Sequence, residues 1–135
     1  MQNNTLFDEI KDKIREMPFD NSIDVLIFIW RGWIIPGALI NQRLKLPYYV
    51  LQIRFRDDSH TPEYDAPKLM DESFDVRLIA GKNILLIDDV SRTWKTFEKA
   101  KEILSHAKSI KTFVVNWNAD YALYTGECFR FPWLL

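Results

Sequence analysis

The sequence predicts an α/β fold with a mainly parallel, twisted sheet flanked by helices. Two short apolar runs, at residues 24–30 (DVLIFIW) and 83–88 (NILLID), carry this prediction, and residues 110–115 (IKTFVV) supply a further strand. Continuous apolar runs of this length, rich in branched side chains, are typical of strands that are buried on both faces. Strands that alternate with helices along a chain form right-handed crossovers and a parallel sheet.

Helical periodicity appears in three segments. Apolar side chains recur every three or four residues over residues 6–17, after Asn4 and Thr5, either of which can cap a helix. Residues 35–45 are predicted to form a second helix, with a proline in the first turn, where proline is tolerated. Residues 96–106 place their apolar side chains on one face and predict a third helix. We expect these helices to cover the sheet.

The remaining segments complete the predicted order of elements. Residues 48–55 follow Pro47 and predict a further strand. Residues 56–72 are polar, contain two prolines and lack a period, which predicts a long surface loop, and loops of this length are often functional. Gly81 and Lys82 mark a turn into the strand that follows. In folds of this class, ligands bind beyond the carboxyl ends of the strands.

Composition limits the classes of function. A chain of 135 residues that is 47% hydrophobic can bury one core, so we expect a single domain over residues 1–135. The net charge of -1 provides no broad positive field, so binding to nucleic acid or to a membrane surface is not expected. Cys128 is the single cysteine, and neither a signal peptide nor an apolar stretch of bilayer length is evident. These features predict a cytoplasmic protein.

Residues 84–96 (ILLIDDVSRTWKT) combine an apolar strand, two carboxylates, a turn and a helix start. Backbone N–H groups at the turn and at the helix start can bind a phosphate, and the hydroxyls of Thr93 and Thr96 can add donors. Asp88 and Asp89 can bind ribose hydroxyls or a hydrated Mg²⁺. The segment as a whole suits a sugar phosphate. Taken alone, two carboxylates after a buried strand are commonly a solvated strand end, and a threonine before a helix is commonly an ordinary cap.

This segment resembles the diphosphate-sugar signature of the type I phosphoribosyltransferases, in which an apolar strand precedes two acidic residues and a Thr-Gly-x-Thr-like loop. Residues 27–47 (IFIWRGWIIPGALINQRLKLP) resemble the family's pyrophosphate loop, in which Arg-Gly-Gly separates a strand from a helix. The ending FRFPWLL resembles the Phe-Pro-Trp ending of short prokaryotic xanthine, guanine or hypoxanthine phosphoribosyltransferases. The three matches occur in the family's order and cover the chain from residue 24 onward.

The resemblance implies an enzyme that transfers ribose 5-phosphate from phosphoribosyl diphosphate to a nitrogen base, a purine, in nucleotide salvage. Such an enzyme releases pyrophosphate and requires Mg²⁺, and dimers are common in the family. The resemblance assigns the pyrophosphate to Arg31 and Gly32, and the ribose hydroxyls and the metal to Asp88 and Asp89. It assigns the 5-phosphate to the loop that runs from Thr93 through Trp94 and Lys95 to Thr96.

Several positions depart from the family pattern. Arg92 replaces an acidic residue proposed to assist proton transfer at the base, and Trp94 replaces a glycine of the phosphate loop. Trp33 likewise replaces the second glycine of the pyrophosphate loop. The residues expected to contact the base are Asn116, where purine enzymes commonly have a lysine, and Phe129, which can stack in place of the family's tryptophan.

These departures leave two functions open. The first is a purine-type phosphoribosyltransferase that retains turnover. The second is a catalytically impaired relative that binds a nucleotide, a sugar phosphate or a protein partner in a regulatory role, since fold alone does not guarantee activity. Arg92 and Lys95 add positive charge to the phosphate loop, which favours binding even where the acid is missing. Trp33 and Trp94 are equally consistent with ordinary packing or a partner surface.

Overall fold

The computed structural model describes residues 5–29, 34–54, 68–69, 74–91, 95–126 and 132. Within these residues, the helices are α1 (Leu6–Glu16), α2 (Ile34–Leu44) and α3 (Lys95–Ile103), with a 3₁₀ turn at Val76–Leu78. The strands are β1 (Val25–Ile29), β2 (Tyr48–Leu51), β3 (Ile53–Arg54), β4 (Lys68–Leu69), β5 (Asn83–Ile87), β6 (Val90–Ser91), β7 (Ser109–Trp117) and β8 (Tyr121–Tyr124).

Six of the strands form one sheet, in which every pairing is parallel. Neighbours run in the order β2, β1, β5 and β7, and β7 also pairs with β6 and β8. Because β6 pairs with Asn116 and Trp117, beyond the point where β5 ends opposite Phe113, it continues the line of β5. The described sheet therefore has five positions, with β2 and β8 at its edges, and the predicted parallel architecture is confirmed.

Helices cover both faces of the sheet, which explains why its central strands are apolar throughout. All five residues of β1 are buried. On one face, Ile10 of α1 and Ile40 of α2 belong to a buried cluster with the sheet. On the other face, Phe97 and Ala100 of α3 belong to a second cluster. With both faces covered, the strand ends are where polar side chains of the sheet can reach a ligand.

The first two helices are fixed by polar contacts at their ends. The α1 helix begins at a capping box, because Thr5 Oγ1 accepts a hydrogen bond from the Asp8 N–H at 3.1 Å while Asp8 Oδ2 accepts from the Thr5 N–H at 3.3 Å. At the other end of α1, the guanidinium of Arg43 on α2 donates to the carbonyls of Ile14 and Met17. In the described parts of the chain, no helix is long and apolar enough to span a bilayer.

Among the described residues, the turn before β5 requires the backbone geometry that glycine allows. Gly81 has a φ of 71°, in the left-handed region that favours glycine, and its N–H donates to the His106 carbonyl at 3.1 Å. This contact joins the start of β5 to the turn that follows α3. The predicted turn at Gly81 and Lys82 is therefore confirmed, and it sets the point at which β5 enters the sheet.

The structure differs from the sequence prediction in three places. Residues 48–55 do not form one strand, because the chain leaves the main sheet after Leu51 and β3 pairs with β4 in a separate antiparallel ribbon. That ribbon places a strand inside the segment predicted to be a loop, of which residues 56–67 and 70–72 lie outside the described residues. The sequence prediction also lacks β8, whose four residues follow β7 after only three residues.

Candidate active site at the carboxyl edge of the sheet

Because the main strands are parallel, the carboxyl ends of β1, β5, β7 and β8 lie along one edge of the sheet, here called the carboxyl edge. Asp88 and Asp89 follow β5 directly at this edge. The Asp88 N–H still donates to the Phe113 carbonyl of β7 at 3.0 Å. The Asp89 carbonyl then accepts from two consecutive N–H groups, those of Val115 and Asn116, each at 3.0 Å. The ladder is thus interrupted at the two acids before β6 resumes it.

The surroundings of the two acids disfavour negative charge. Asp88 and Asp89 are both partly buried, and Asp88 Oδ1 accepts a hydrogen bond from the Asp89 N–H at 2.8 Å. Burial raises the pKa of Asp88 well above its usual range, and the neighbouring Asp89 charge raises it further. A cation, or hydroxyl groups that donate hydrogen bonds, would stabilise the ionised form of this pair.

Asn116 lies at the same edge, near the end of β7. Its side chain is only 3% exposed, and its Nδ2 donates to the Gly126 carbonyl at 2.7 Å. Its Oδ1 is also buried and accepts no hydrogen bond from the described residues. The backbone N–H of Asn116 donates to Asp89, so the structure brings this predicted base-contacting residue directly beside the two acids.

The residue after Asn116 has an unusual backbone conformation. Trp117 has a φ of 100°, a region that side chains other than glycine rarely adopt. Strain of this kind costs about 1–3 kcal/mol and is often found near functional sites. At Trp117 the chain leaves β7 and turns toward β8. The strained residue therefore lies at the carboxyl edge.

The start of α3 supplies the next part of the predicted phosphate loop. Lys95 is exposed and Thr96 is partly buried, and both lie in the first turn of α3. The first turn of a helix has backbone N–H groups without helical partners, and these carry partial positive charge toward an anion. Arg92, Thr93 and Trp94, which precede this turn, lie outside the described residues.

The other residues predicted to contact the substrate belong to the segment between β1 and α2 or follow Gly126 in the sequence. Arg31 and Gly32, with Trp33, lie outside the described residues, between the end of β1 and the start of α2. Phe129 also lies outside them, beyond Gly126. Of the predicted site residues, the described chain therefore brings together Asp88, Asp89 and Asn116, and it places Lys95 and Thr96 at the start of α3.

The two carboxylates suit a Mg²⁺ ion that is held mainly by water and by a phosphorylated substrate. The described residues contain no cluster of three or more His, Cys, Asp or Glu side chains that could hold a metal by themselves. Mg²⁺ commonly binds through one or two carboxylates together with substrate phosphates. Burial and the neighbouring Asp89 raise the pKa of Asp88, and a bound cation would counter both effects.

Sequence reasoning missed two features of this edge. The bond from Asn116 to Gly126 depends on β8, which returns the chain beside β7 and was not predicted. The strained φ of Trp117 has no signature in the sequence, since tryptophan is not a residue expected there. Asn118 and Asp120, which lie between β7 and β8, are turn-forming residues that could have indicated that β7 ends there.

Comparison with known proteins decides the family. Residues 2–121 match the phosphoribosyl transferase domain. The chain belongs to this phosphoribosyltransferase family. Both the family resemblance and the α/β fold predicted from the sequence are confirmed.

Solved structures of the family share the fold. A purine phosphoribosyltransferase from Pyrococcus horikoshii is 26% identical, with a TM-score of 0.74 over 96% of this chain and 89% of that chain. A hypoxanthine phosphoribosyltransferase from Staphylococcus aureus is 14% identical, with a TM-score of 0.68 over 86% and 72%. A hypoxanthine-guanine phosphoribosyltransferase from Bacillus anthracis is 17% identical, with a TM-score of 0.67 over 96% and 86%.

Proposed function

We propose that this protein transfers ribose 5-phosphate from phosphoribosyl diphosphate to a purine base, forming a nucleoside monophosphate and pyrophosphate. One observation carries the proposal: two adjacent carboxylates, Asp88 and Asp89, interrupt the sheet ladder at its carboxyl edge in a chain of the phosphoribosyltransferase family. The purine assignment is supported by similar structures that are described as purine and hypoxanthine enzymes. The proposed role is nucleotide salvage in the cytoplasm, by a single domain that forms a homodimer.

The reaction demands the management of charge more than covalent help. The ribose develops positive charge while pyrophosphate leaves with growing negative charge, so a catalyst must hold both in register and stabilise them electrostatically. In the proposed site, Asp88 and Asp89 accept hydrogen bonds from the ribose hydroxyls. Their negative charge lies where the developing positive charge of the sugar is stabilised.

We assign the 5-phosphate and the pyrophosphate to positively charged side chains and to backbone N–H groups. The backbone N–H groups at the start of α3, with the Thr96 hydroxyl and the Lys95 ammonium nearby, would bind the 5-phosphate together with Arg92 and Thr93. Arg31 would bind the pyrophosphate, from the segment between β1 and α2. Asp88 and Asp89 would also hold Mg²⁺, which when bound neutralises the leaving pyrophosphate.

A turnover assay tests the proposal. The protein is incubated with phosphoribosyl diphosphate, Mg²⁺ and, one at a time, guanine, xanthine, hypoxanthine and adenine, and pyrophosphate release is measured. We expect release that depends on both a base and Mg²⁺. Omission of the base controls for hydrolysis of the diphosphate alone. Absence of base-dependent pyrophosphate release with all four bases would remove the enzymatic claim.

A second candidate function is binding without turnover, and Arg92 favours it. The family's acidic residue at this position is replaced by a cation, which strengthens anion binding but cannot accept a proton from the base. Calorimetry with phosphoribosyl diphosphate and with nucleoside monophosphates tests binding independently of chemistry. The double variant Arg92→Asp, Trp94→Gly distinguishes the two candidates. Activity gained by the variant supports an impaired site, whereas activity lost from an active protein supports a site adapted to its own substrate.

A further inference from the structure

Two polar residues are buried in the core of the described part of the chain, and they differ in their hydrogen bonding. Thr112 and Asn116 are both on β7, with 1% and 3% exposure. The Thr112 hydroxyl donates to Asp120 Oδ2 and accepts from the Asp120 N–H, each at 3.1 Å. Asn116 has only its Nδ2 bonded, and its Oδ1 is buried without a partner among the described residues. The second such oxygen, on Asn41, belongs to a side chain that is only partly buried.

The orientation of the Asn116 amide is fixed by its neighbour. Its Nδ2 lies 2.7 Å from the Gly126 carbonyl oxygen, which can only accept a hydrogen bond. Rotating the amide by half a turn would bring its Oδ1 against that oxygen, so two acceptors would face each other. The atom left over is therefore an acceptor, and whatever satisfies it must supply an N–H or O–H group.

The position of this acceptor connects it with the proposed site. Asn116 is bonded through its backbone to Asp89, and it lies at the carboxyl edge, where folds of this class bind ligands. A buried acceptor without a partner costs about 1–3 kcal/mol, so such atoms call for an explanation. Thr112 is four residues earlier on the same strand and is fully satisfied, which shows that β7 does not generally leave polar groups unpaired.

We propose that Asn116 determines base specificity by accepting a hydrogen bond from an exocyclic amino group of the bound base. This inference rests on the proposed function and names its substrate class as aminopurines in preference to the matching oxopurines. An oxo group at the same place would face the Asn116 Oδ1, and two acceptors repel one another. A hydrogen-bond donor at this position would favour a base with an oxo group. Asn116, as an acceptor, favours a base with an amino group.

The preference of the unaltered protein is the first test. Adenine is compared with hypoxanthine, and guanine with xanthine, since each pair differs by an amino group in place of an oxo group. We expect kcat/KM to favour the amino member of at least one pair by about tenfold or more, as the loss of one buried hydrogen bond implies. Equal or better use of the oxo member in both pairs overturns the assignment and leaves the proposed activity intact.

Binding separates this inference from the proposed activity. Calorimetry compares adenosine 5′-monophosphate with inosine 5′-monophosphate, and guanosine 5′-monophosphate with xanthosine 5′-monophosphate. A protein without turnover that prefers the amino member of a pair contradicts the activity but supports the role of Asn116. A protein that binds none of the four overturns both.

Matched variants of β7 identify the residue responsible. Asn116→Leu replaces the amide by an apolar side chain with the same branching and so removes the acceptor, and we expect the ratio of amino to oxo preference to fall by about tenfold. Thr112→Val removes a buried polar group from the same strand and should leave the ratio unchanged. The ratio is the readout because general damage to the fold would lower both members of a pair equally. A ratio unchanged in Asn116→Leu contradicts the proposal, and if that variant does not fold, the preference of the unaltered protein decides.

Discussion

The two edges of the sheet are made by the same strands but differ in how their polar groups are satisfied. At the amino edge, where β5 and β7 begin, Asn83 joins three strands. Its N–H donates to Asp24 Oδ2 at 2.9 Å, its Nδ2 donates to the Ser22 carbonyl at 3.0 Å, and its Oδ1 accepts from Ser109 Oγ at 2.7 Å. At the carboxyl edge, Asp88 has a raised pKa, and the Asn116 Oδ1 has no hydrogen-bond partner in the part of the chain that the structure describes.

This contrast separates residues that stabilise the fold from residues available for a ligand. The polar groups of Asn83 find their partners within the protein, so their contribution is to stability. At the carboxyl edge, burial makes the charged form of Asp88 unfavourable and the positive φ of Trp117 strains the backbone, and both effects cost free energy. Such costs persist when the rest of the fold is stable enough to offset them, and they are common at functional sites.

The largest expected effect is on activity at the carboxyl edge. Asp88→Asn removes one charge from the acid pair and should lower kcat/KM of the proposed transfer by roughly 100-fold or more, as loss of a preorganised electrostatic group does. Pyrophosphate release under saturating Mg²⁺ measures it. Asp24→Asn makes the same chemical change at the amino edge and should leave kcat/KM unchanged. If the two variants lose activity equally, the division between the edges is wrong.

The second effect is on stability at the amino edge. Asn83→Ala breaks the side-chain bonds to Ser22 and Ser109, and it should lower the free energy of unfolding by about 1–3 kcal/mol. Urea unfolding followed by circular dichroism measures the change. Ser109→Ala removes only the second bond and should cost less. If Asn83→Ala lowered the free energy of unfolding by less than Ser109→Ala does, the proposed role of Asn83 in joining the strands would be wrong.

The third effect is on the pH dependence of stability. For Asp88 its direction is opposite to that of a carboxyl group whose pKa is lowered by folding. Because the folded-state pKa of Asp88 is raised, its contribution to stability is fully present below its ordinary value near 3.8 and is lost as pH rises through the folded-state pKa. Without Mg²⁺, Asp88→Asn should therefore unfold at a higher temperature than the unaltered protein at pH 7. The difference should shrink as pH falls toward 4.

Comparing the melting temperatures of Asp88→Asn and of the unaltered protein at each pH separates the effect of Asp88 from that of the other acids. Hydrogen bonds lower the pKa values of Asp8 and Asp20, so these groups contribute stability above their ordinary pKa that is lost as pH falls. Both are present in the variant as well, and their effects cancel in the difference. A melting temperature of Asp88→Asn below that of the unaltered protein at pH 7 would mean that Asp88 is stabilised by a partner instead.

The sequence was sufficient for the core of the fold but not for the details of the site. The strand that contains Leu85 could be predicted, because a strand buried on both faces has a continuous apolar sequence. The position of Asp88 and Asp89 directly after this strand could be predicted with it. The Asn116 oxygen, which has no partner within the described residues, could not be predicted, since it depends on where the Gly126 carbonyl lies after an unpredicted strand. Local patterns predict elements, whereas hydrogen bonding between distant segments is fixed only when those elements pack.

The smallest effect tests whether nearness to the carboxyl edge is enough to affect activity. The start of α1 lies toward this edge, because the Tyr124 hydroxyl at the end of β8 donates to Glu9 Oε1 in α1 at 2.7 Å. Thr5→Ala removes the side chain that caps α1 and should lower the free energy of unfolding by about 1 kcal/mol. Thr5→Ser retains the cap and should cost less. Both variants should keep the kcat/KM of the unaltered protein at 25 °C, since the Thr5 bonds lie within α1 and none of them reaches the acid pair. A selective loss of activity in Thr5→Ala would extend the functional site to the first helix.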